Sequence, residues 1–173
     1  MGVFSPPFAH LHVASSHSLR YGATLPELLV QRSAELGQSI VALTDRDGLY
    51  AAVRWVRECS RLGIRPVLGV DIAVEATQAA RVHPDVQART PARGGRWIDE
   101  TRPRVLLLAT GSRGWASLCR LVSAAHIGDH TARGEPWVPW SALREHSEGI
   151  VVILGADSEV GRYLADERAT LAE

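Results

Sequence analysis

An α/β fold built from repeated strand–helix units is what this sequence predicts, on three observations. Compact apolar runs of four to eight residues alternate with stretches whose apolar residues recur at three- and four-residue steps. Glycines close the stretches that read as helices. Hydrophobic residues make up 46% of the 173 residues and charged residues 22%, values of an ordinary globular domain. Units this regular predict a parallel sheet with right-handed crossovers.

The elements follow in order. Phe8 to Val13 reads as a short first strand ending in polar residues. Thr24 stands three residues before Glu27, the spacing of a capping box, so a helix is expected with Leu28, Leu29, Ser33 and Leu36 as its buried stripe and Gly37 as its stop. Ile40 to Leu43 is a compact buried strand closed by Thr44-Asp45-Arg46-Asp47-Gly48. Leu49, Ala52, Val53, Val56 and Cys59 mark a second amphipathic helix ending at Gly63, and Val67 to Val74 reads as a third strand. Residues 75–103 break the rhythm with three prolines and adjacent glycines, and read as a flexible surface insertion. Val105 to Ala109 resumes as a strand. Ser112 to Ala125 is expected as a helix with Trp115, Leu118, Leu121 and Val122 inward. A loop, a short helix at Trp140 to His146, a fifth strand at Gly149 to Leu154 and a last helix at Ser158 to Leu171 complete one domain over 1–173.

Composition excludes several chemistries. All nineteen basic residues are arginine, so a Walker-A lysine, a Schiff-base lysine and a lysine general base are excluded. Nineteen acidic residues balance them, against the basic excess of a dedicated nucleic-acid binder. Two cysteines, Cys59 and Cys119, make neither a disulfide scaffold nor a cysteine-rich zinc module and read as packing residues. No run of eighteen apolar residues and no charged-then-apolar leader occurs, which sets the expected location in the cytoplasm.

In a parallel α/β fold, ligand chemistry gathers at the carboxyl ends of the strands. Those ends would carry His10 and His12, Thr44 to Arg46, Asp71, Thr110, and Gly155 with Asp157. Histidines two apart on a strand share a face, so His10 and His12 can reach one metal ion, and His17 follows in a serine-rich turn that can fold back. Two histidines that merely end a strand and bond backbone carbonyls explain the same pattern equally well. Asp45 is readable as a residue orienting a histidine or, more simply, as part of a helix start where aspartates meet unpaired N–H groups. Asp71 lies inside an apolar strand, where a carboxylate needs a metal or a cation such as Arg104 to offset its desolvation. His83, His126, His130 and His146 read as solvated. Trp97, Trp137 and Trp140 read as residues that lock loops onto the surface; a base-stacking platform is the alternative.

These residues also carry a resemblance. Phe8-Ala9-His10-Leu11-His12, Ser18-Leu19-Arg20-Tyr21-Gly22-Ala23, Ala42 to Leu49 and Gly63 to Asp71 are similar to the amino-terminal PHP (polymerase and histidinol phosphatase) domain of bacterial C-family DNA polymerases. Val105 to Ala109, Gly114 to Ser123 and Gly149 to Gly155 continue the likeness over nearly the whole chain. It is closest in character to DNA polymerase III alpha subunits and their error-prone, damage-tolerant relatives.

The resemblance implies a distorted, TIM-like (β/α)7 barrel of which about five βα units are present, holding up to three metal ions through histidines and carboxylates in its active members. On that pattern His10 and His12 match the first motif. Tyr21 stands where a carboxylate is expected, with His17 as a possible substitute. Arg46 and Arg104 stand where histidines are expected, Asp71 where a glutamate is, and Ala156 where a cysteine or histidine is. The final Asp-x-His motif would fall beyond Glu173, as would the polymerase's catalytic aspartates, so a fragment or a stand-alone remnant unable to polymerise DNA is expected. Each guanidinium repels a divalent cation and can occupy its space. His10, His12, His17 and Asp71 would then be a vestigial metal set, Asp45 a residue behind it, and Arg46 and Arg104 ligand-replacing or anion-binding groups. No cofactor is expected, with weakly bound zinc or manganese as the alternative. The implied function is a degenerate, partner-binding domain of an error-prone polymerase in replication and translesion repair, touching DNA only indirectly. A divalent-metal phosphoesterase or 3'-5' exonuclease at the same site is the competing expectation, and an anion-binding module a third.

Overall fold

The computed structural model describes residues 8–77, 90–91, 97–98, 102–127 and 136–172. In chain order the elements are α1 (Pro26–Glu35), β1 (Ile40–Leu43), α2 (Ala52–Leu62), β2 (Arg65–Ala73), β3 (Thr90–Pro91), β4 (Trp97–Ile98), β5 (Arg104–Ala109), α3 (Gly111–Ile127), α4 (Trp140–Glu145), β6 (Ile150–Ile153) and α5 (Glu159–Ala172). Four strands form one sheet in the order β1-β2-β5-β6, while β3 and β4 make a separate two-residue antiparallel ladder. No described helix is long and apolar enough to cross a membrane.

The sheet is mixed, which corrects the expectation of a parallel one. β1 and β2 run parallel, with Leu43 opposite Leu68, whereas β5 runs antiparallel to both β2 and β6. A parallel neighbour requires a crossover, usually a helix, and no helix lies between β2 and β5 among the described residues. The chain can therefore return directly alongside β2, pairing Ala73 with Arg104. That connection is the stretch read as an insertion, most of which lies outside the described residues. The described strands form a four-stranded mixed α/β sheet.

The first expected strand is reduced to one isolated bridge between His10 and Val41. The Ala42 N–H donates to the His10 carbonyl and the Thr44 N–H to that of Val13, so residues 10–13 run extended along β1. Helix α1 begins at Pro26 with Leu25 as N-cap and no side-chain cap, so Thr24 does not cap it. Proline at the first helical position supplies the start instead, since its missing N–H would have been unpaired there. The buried stripe is Pro26, Val30 and Ser33, and Leu28 and Leu36 face solvent. In α2 the inward residues are Ala52, Trp55, Glu58 and Cys59, with Val53 71% exposed. Gly37 and Gly63 follow their helices at φ 70°, as expected of left-handed stops.

Two apolar clusters hold the layers together. Val41 and Leu43 of β1 pack with Val30, Trp55 and Cys59 of α1 and α2. Val70 and Ile72 of β2 and Val105 and Leu107 of β5 pack with Leu118, Leu121 and Ala125 of α3, with Trp115 and Val122 partly buried beside them. Truncating a buried leucine such as Leu118 removes about 2–5 kcal/mol. Burial pushes the Cys59 thiol up to about 11, with Glu58 adding to the shift. Its thiolate is therefore scarce at neutral pH, in keeping with a packing role.

Helix α3 sits close against the turn before β6. A Cβ on Gly114 would lie 2.1 Å from the Gly149 carbonyl oxygen, which is backbone and cannot swing away. Gly114→Ala is expected to cost about 1–3 kcal/mol through forced separation of these segments, read as a lowered midpoint in urea unfolding. A midpoint equal to that of the unaltered protein would show that the approach is loose.

Candidate functional site

Strand alternation places Asp71 on the face opposite Val70 and Ile72, away from the α3 core. On that side the ends of residues 10–14, β1 and β2 meet the start of β5 and the end of β6. The Asp47 N–H donates to the Asp71 carbonyl, the Asp71 N–H to Asp45 and the Arg104 N–H to Asp157, so backbone bonds lock the rim. A cavity of ≈ 380 Å³ opens there, lined by His12, Tyr21, Thr44, Arg46, Asp71 and Asp157 among others. A second cavity of ≈ 230 Å³ lies beside it along Arg104, Leu106 and Ile153. Thr110, expected at this rim, lies at the opposite end of the sheet and bonds the Gly149 carbonyl. The reversed direction of β5 is the cause.

Arg104 is the centre of the polar network. Its side chain is 7% exposed. Its Nε donates to Asp71 Oδ1 at 2.8 Å, and its Nη2 donates both to Asp47 Oδ1 at 2.8 Å and to the Asp71 carbonyl at 2.8 Å. Desolvation works against its charge, but Asp47 and Asp71 outweigh it and hold the guanidinium above its ordinary range. Asp47 reaches this position from a left-handed backbone at φ 57°, a conformation aspartate tolerates better than most residues. Asp71 is thereby matched to Arg104, one of the two partners its sequence context demanded. His12 Nε2 stands 3.4 Å from the other oxygen, Asp71 Oδ2.

Arg46 is placed differently. Its guanidinium carbon lies 4.0 Å from the centre of the Tyr21 ring, a cation–π stack. Asp47 Oδ2 is 3.8 Å from its Nε, an ion pair too long for a hydrogen bond, and that buried Nε has no acceptor. Burial, then the charge of Arg104, depresses its pKa. The two residues that depart from the expected ligand pattern at 21 and 46 thus contact each other.

Asp45 is 1% exposed and serves the loop before α1. Its oxygens accept from the Ser15 N–H at 2.6 Å, the Ser15 hydroxyl at 2.8 Å and the Ser18 hydroxyl at 2.7 Å. It orients no histidine directly and caps no helix, because α2 begins only at Ala52. Sequence reading missed Ser15 and Ser18; their signal was a serine-rich turn 30 and 27 residues before a buried aspartate. His17 Nδ1 lies 3.3 Å from the Ser15 hydroxyl. His10 is exposed and meets the Phe8 ring edge-on at 4.7 Å. Of the expected set, the structure brings together His12, Asp71, Arg46 and Arg104, and leaves His10, His17 and Asp45 in separate contacts. Asp47 joins the network, having been singled out only as a turn residue.

Other histidines and tryptophans follow no common site. His126 is exposed, as expected, and its Nε2 lies 2.6 Å from the Asp47 carbonyl. His146 is partly buried at the end of α4. Trp140 packs against the α3 core, while Trp137 stacks under Arg102 at 4.4 Å. His83 and His130 lie outside the described residues, as do the side-chain surroundings of Trp97.

Comparison with known proteins gives a consistent answer. The PHP domain family matches residues 10–173. The chain is 35% identical over 158 residues to an error-prone DNA polymerase of Mycobacterium bovis, a match covering 86% of this chain and 13% of that protein. It is 34% identical over 179 residues to an error-prone DNA polymerase of Anaeromyxobacter sp. strain K, covering 97% of this chain and 14% of the other. The chain thus spans about an eighth to a seventh of the length of these relatives. A solved amidohydrolase from Chromobacterium violaceum aligns over 69% of this chain and 34% of its own, at 19% identity and a TM-score of 0.47, too distant to bear on the site.

Proposed function

Because this chain belongs to the PHP domain family, we propose that it acts as a non-hydrolytic domain of an error-prone C-family polymerase, bearing on the polymerase body in replication and translesion repair. The supporting observation is Arg104, whose charge lies between Asp47 and Asp71 with three short hydrogen bonds. The family implies a cluster of divalent metals, and the donor set here does not fit one. Asp71 Oδ1 is engaged by a guanidinium, a second guanidinium borders the same cavity, and His10 and His17 have other contacts. A cation entering beside His12 would meet the fixed charge of Arg46, which lines the same cavity.

The role left to such a domain is mechanical. Its ion-paired rim keeps β1, β2 and β5 in register without an exchangeable ion, and its outer surfaces are available to other polypeptide. Its setting on this reading is the cytoplasm, where the chromosome is copied. Two measurements test the reading. Purified protein should carry less than about a tenth of an equivalent of zinc or manganese by mass spectrometry, and chelation should leave its thermal midpoint unchanged. It should not hydrolyse p-nitrophenyl phosphate or the p-nitrophenyl ester of thymidine 5'-monophosphate with added manganese. Stoichiometric metal together with turnover would establish the competing phosphoesterase instead, for which the 3.4 Å approach of His12 to Asp71 is the starting point. In the positive arm, the chain should co-purify with the M. bovis polymerase from which the segment matching this chain has been removed, when both are produced together. Failure to associate would leave the domain without its proposed partner.

A further inference from the structure

Strand β6 ends the sheet, and its outer edge pairs with no other described strand. The run from Gly149 to Gly155 lacks the charges and the proline that usually blunt such an edge. Val151, Val152 and Leu154 are half-exposed, as is Val160 in the first turn of α5, where Gly161 packs against Gly155 and Ala156. The direction of each backbone group follows from one bond. The Thr110 N–H donates to the Gly149 carbonyl, one step beyond the Ala109–Ile150 pair of the β5–β6 ladder. Bonded and unbonded pairs alternate in an antiparallel ladder, so Gly149, Val151 and Ile153 turn their backbone groups to β5, while Ile150, Val152 and Leu154 turn theirs outward. The Ile150 N–H is taken by the Ser147 carbonyl. Facing outward are therefore the N–H groups of Val152 and Leu154 and the carbonyls of Ile150 and Val152.

We propose that β6 pairs antiparallel with β6 of a second copy of this chain, about a two-fold axis through Val152. A second copy is the occupant because the edge is complementary to itself. In that register the Val152 N–H and carbonyl exchange bonds across the axis, and the Leu154 N–H meets the Ile150 carbonyl of the second copy, so each outward N–H finds an acceptor. The Leu154 carbonyl stays in water. Residues directly opposite share a face, so Val152 meets its own copy, Ile150 meets Leu154 and Val151 meets Ile153, all apolar pairs. Beyond the strand, Glu148 falls opposite Ala156 and Ser147 opposite Asp157, so no like charges oppose each other. Glu148 is moreover already paired with Arg113. Moving the axis to Val151 would set Glu145 against Asp157 and require the bonded Ile150 N–H to donate again. A single strand edge offers less than the about 800 Å² per partner of a standard interface, so the dimer is weak, with a dissociation constant on the order of 100 μM.

This inference does not rest on the polymerase reading, and its test separates the two. Sedimentation equilibrium of the whole chain between roughly 5 and 500 μM should show a reversible monomer–dimer equilibrium. Val152→Lys sets like charges opposite each other on the axis and should raise the dissociation constant about tenfold or more. Val152 is 45% exposed, so this variant should fold, which circular dichroism melting confirms. Val152→Cys is the second variant. Cα atoms about 5.5 Å apart in a bonded pair lie within reach of a disulfide. Oxidation should therefore link it into dimers under conditions that leave two controls unlinked, the unaltered chain with Cys59 and Cys119, and Leu28→Cys at an exposed position of α1. Monomer at every concentration would overturn the proposal, as would species larger than a dimer, a dimer that Val152→Lys leaves intact, or linkage of Val152→Cys no greater than that of Leu28→Cys. If the unaltered chain stays monomeric while Val152→Lys abolishes co-purification with the shortened polymerase, the edge belongs to the polymerase and self-pairing is overturned. Dimerisation without any co-purification would uphold the self-pairing and count against the polymerase reading alone.

Discussion

Arg104→Ala is expected to destabilise the domain by about 3–5 kcal/mol, the cost of stranding partly buried charges once their partner is gone. Asp71 and Asp47 are 14% and 22% exposed, so each would lose its cation with little water to replace it. The Asp71 carbonyl would lose a donor as well. Such a loss is a large share of the stability of an ordinary domain, and the variant is expected to be largely unfolded at 37 °C. Urea denaturation followed by circular dichroism measures it. Arg104→Lys provides the graded comparison: it keeps the charge but forfeits the fork, and should cost about 1–2 kcal/mol. A double-mutant cycle with Asp71→Asn isolates the pair, because removing both charges should cost less than the sum of the single losses. If Arg104→Ala unfolds within about 0.5 kcal/mol of wild type, the ion-paired rim is not what holds β2 and β5 together at this end.

Asp45→Ala is the second large effect expected, about 3 kcal/mol or more. It strands the Ser15 N–H and the Ser15 and Ser18 hydroxyls, all in a buried setting. The consequence reaches the cavity, because the loop from Ser15 to Thr24 carries Tyr21, whose ring supports Arg46. Arg20 in this loop is exposed and sits at φ 76°. Trypsin should therefore cut after Arg20 at least tenfold faster in the variant than in the unaltered protein, since the loop opens more often. Asp45→Asn keeps the shape of the side chain and one acceptor oxygen, so it should show a smaller loss and slower cleavage. Unchanged cleavage in both variants would mean the loop is held by its own backbone bonds, such as that from Ser16 to Thr24.

Most of the local structure was readable from the chain because it depends on near neighbours. The apolar run at Ile40–Leu43, the stripe of Leu118 and Leu121, and Gly63 as a stop all follow from periodicity and backbone freedom. Where periodicity was ambiguous the reading slipped. In α1 the stripe fell on Leu28 and Leu36 when the helix turns Val30 inward, because leucines occur on both of its faces. In α2 the inward ring is Trp55, and the exposed Val53 had been placed in the core.

The site divides along the same line. The resemblance implied that Arg46 and Arg104 stand where ligands are expected, and residue type alone required that a carboxylate within an apolar strand find a metal or a cationic partner. Which cation it finds depends on the direction of β5. Because β5 runs antiparallel to β2, its first residue lies across from Ala73 and delivers Arg104 to Asp71. A parallel β5 would have put Arg104 at the far end of the sheet and Thr110 at the rim. The two elements lie more than thirty residues apart, and the direction of a returning strand is decided by what packs between and above the strands. No short-range pattern carries that information. The tertiary fold also separates the two arginines, matching Arg104 with two carboxylates while Arg46 rests on Tyr21 with its donors unspent. Sequence specifies which charges are present, and packing specifies which of them are neutralised, because neutralisation depends on distances of a few ångströms between segments far apart along the chain.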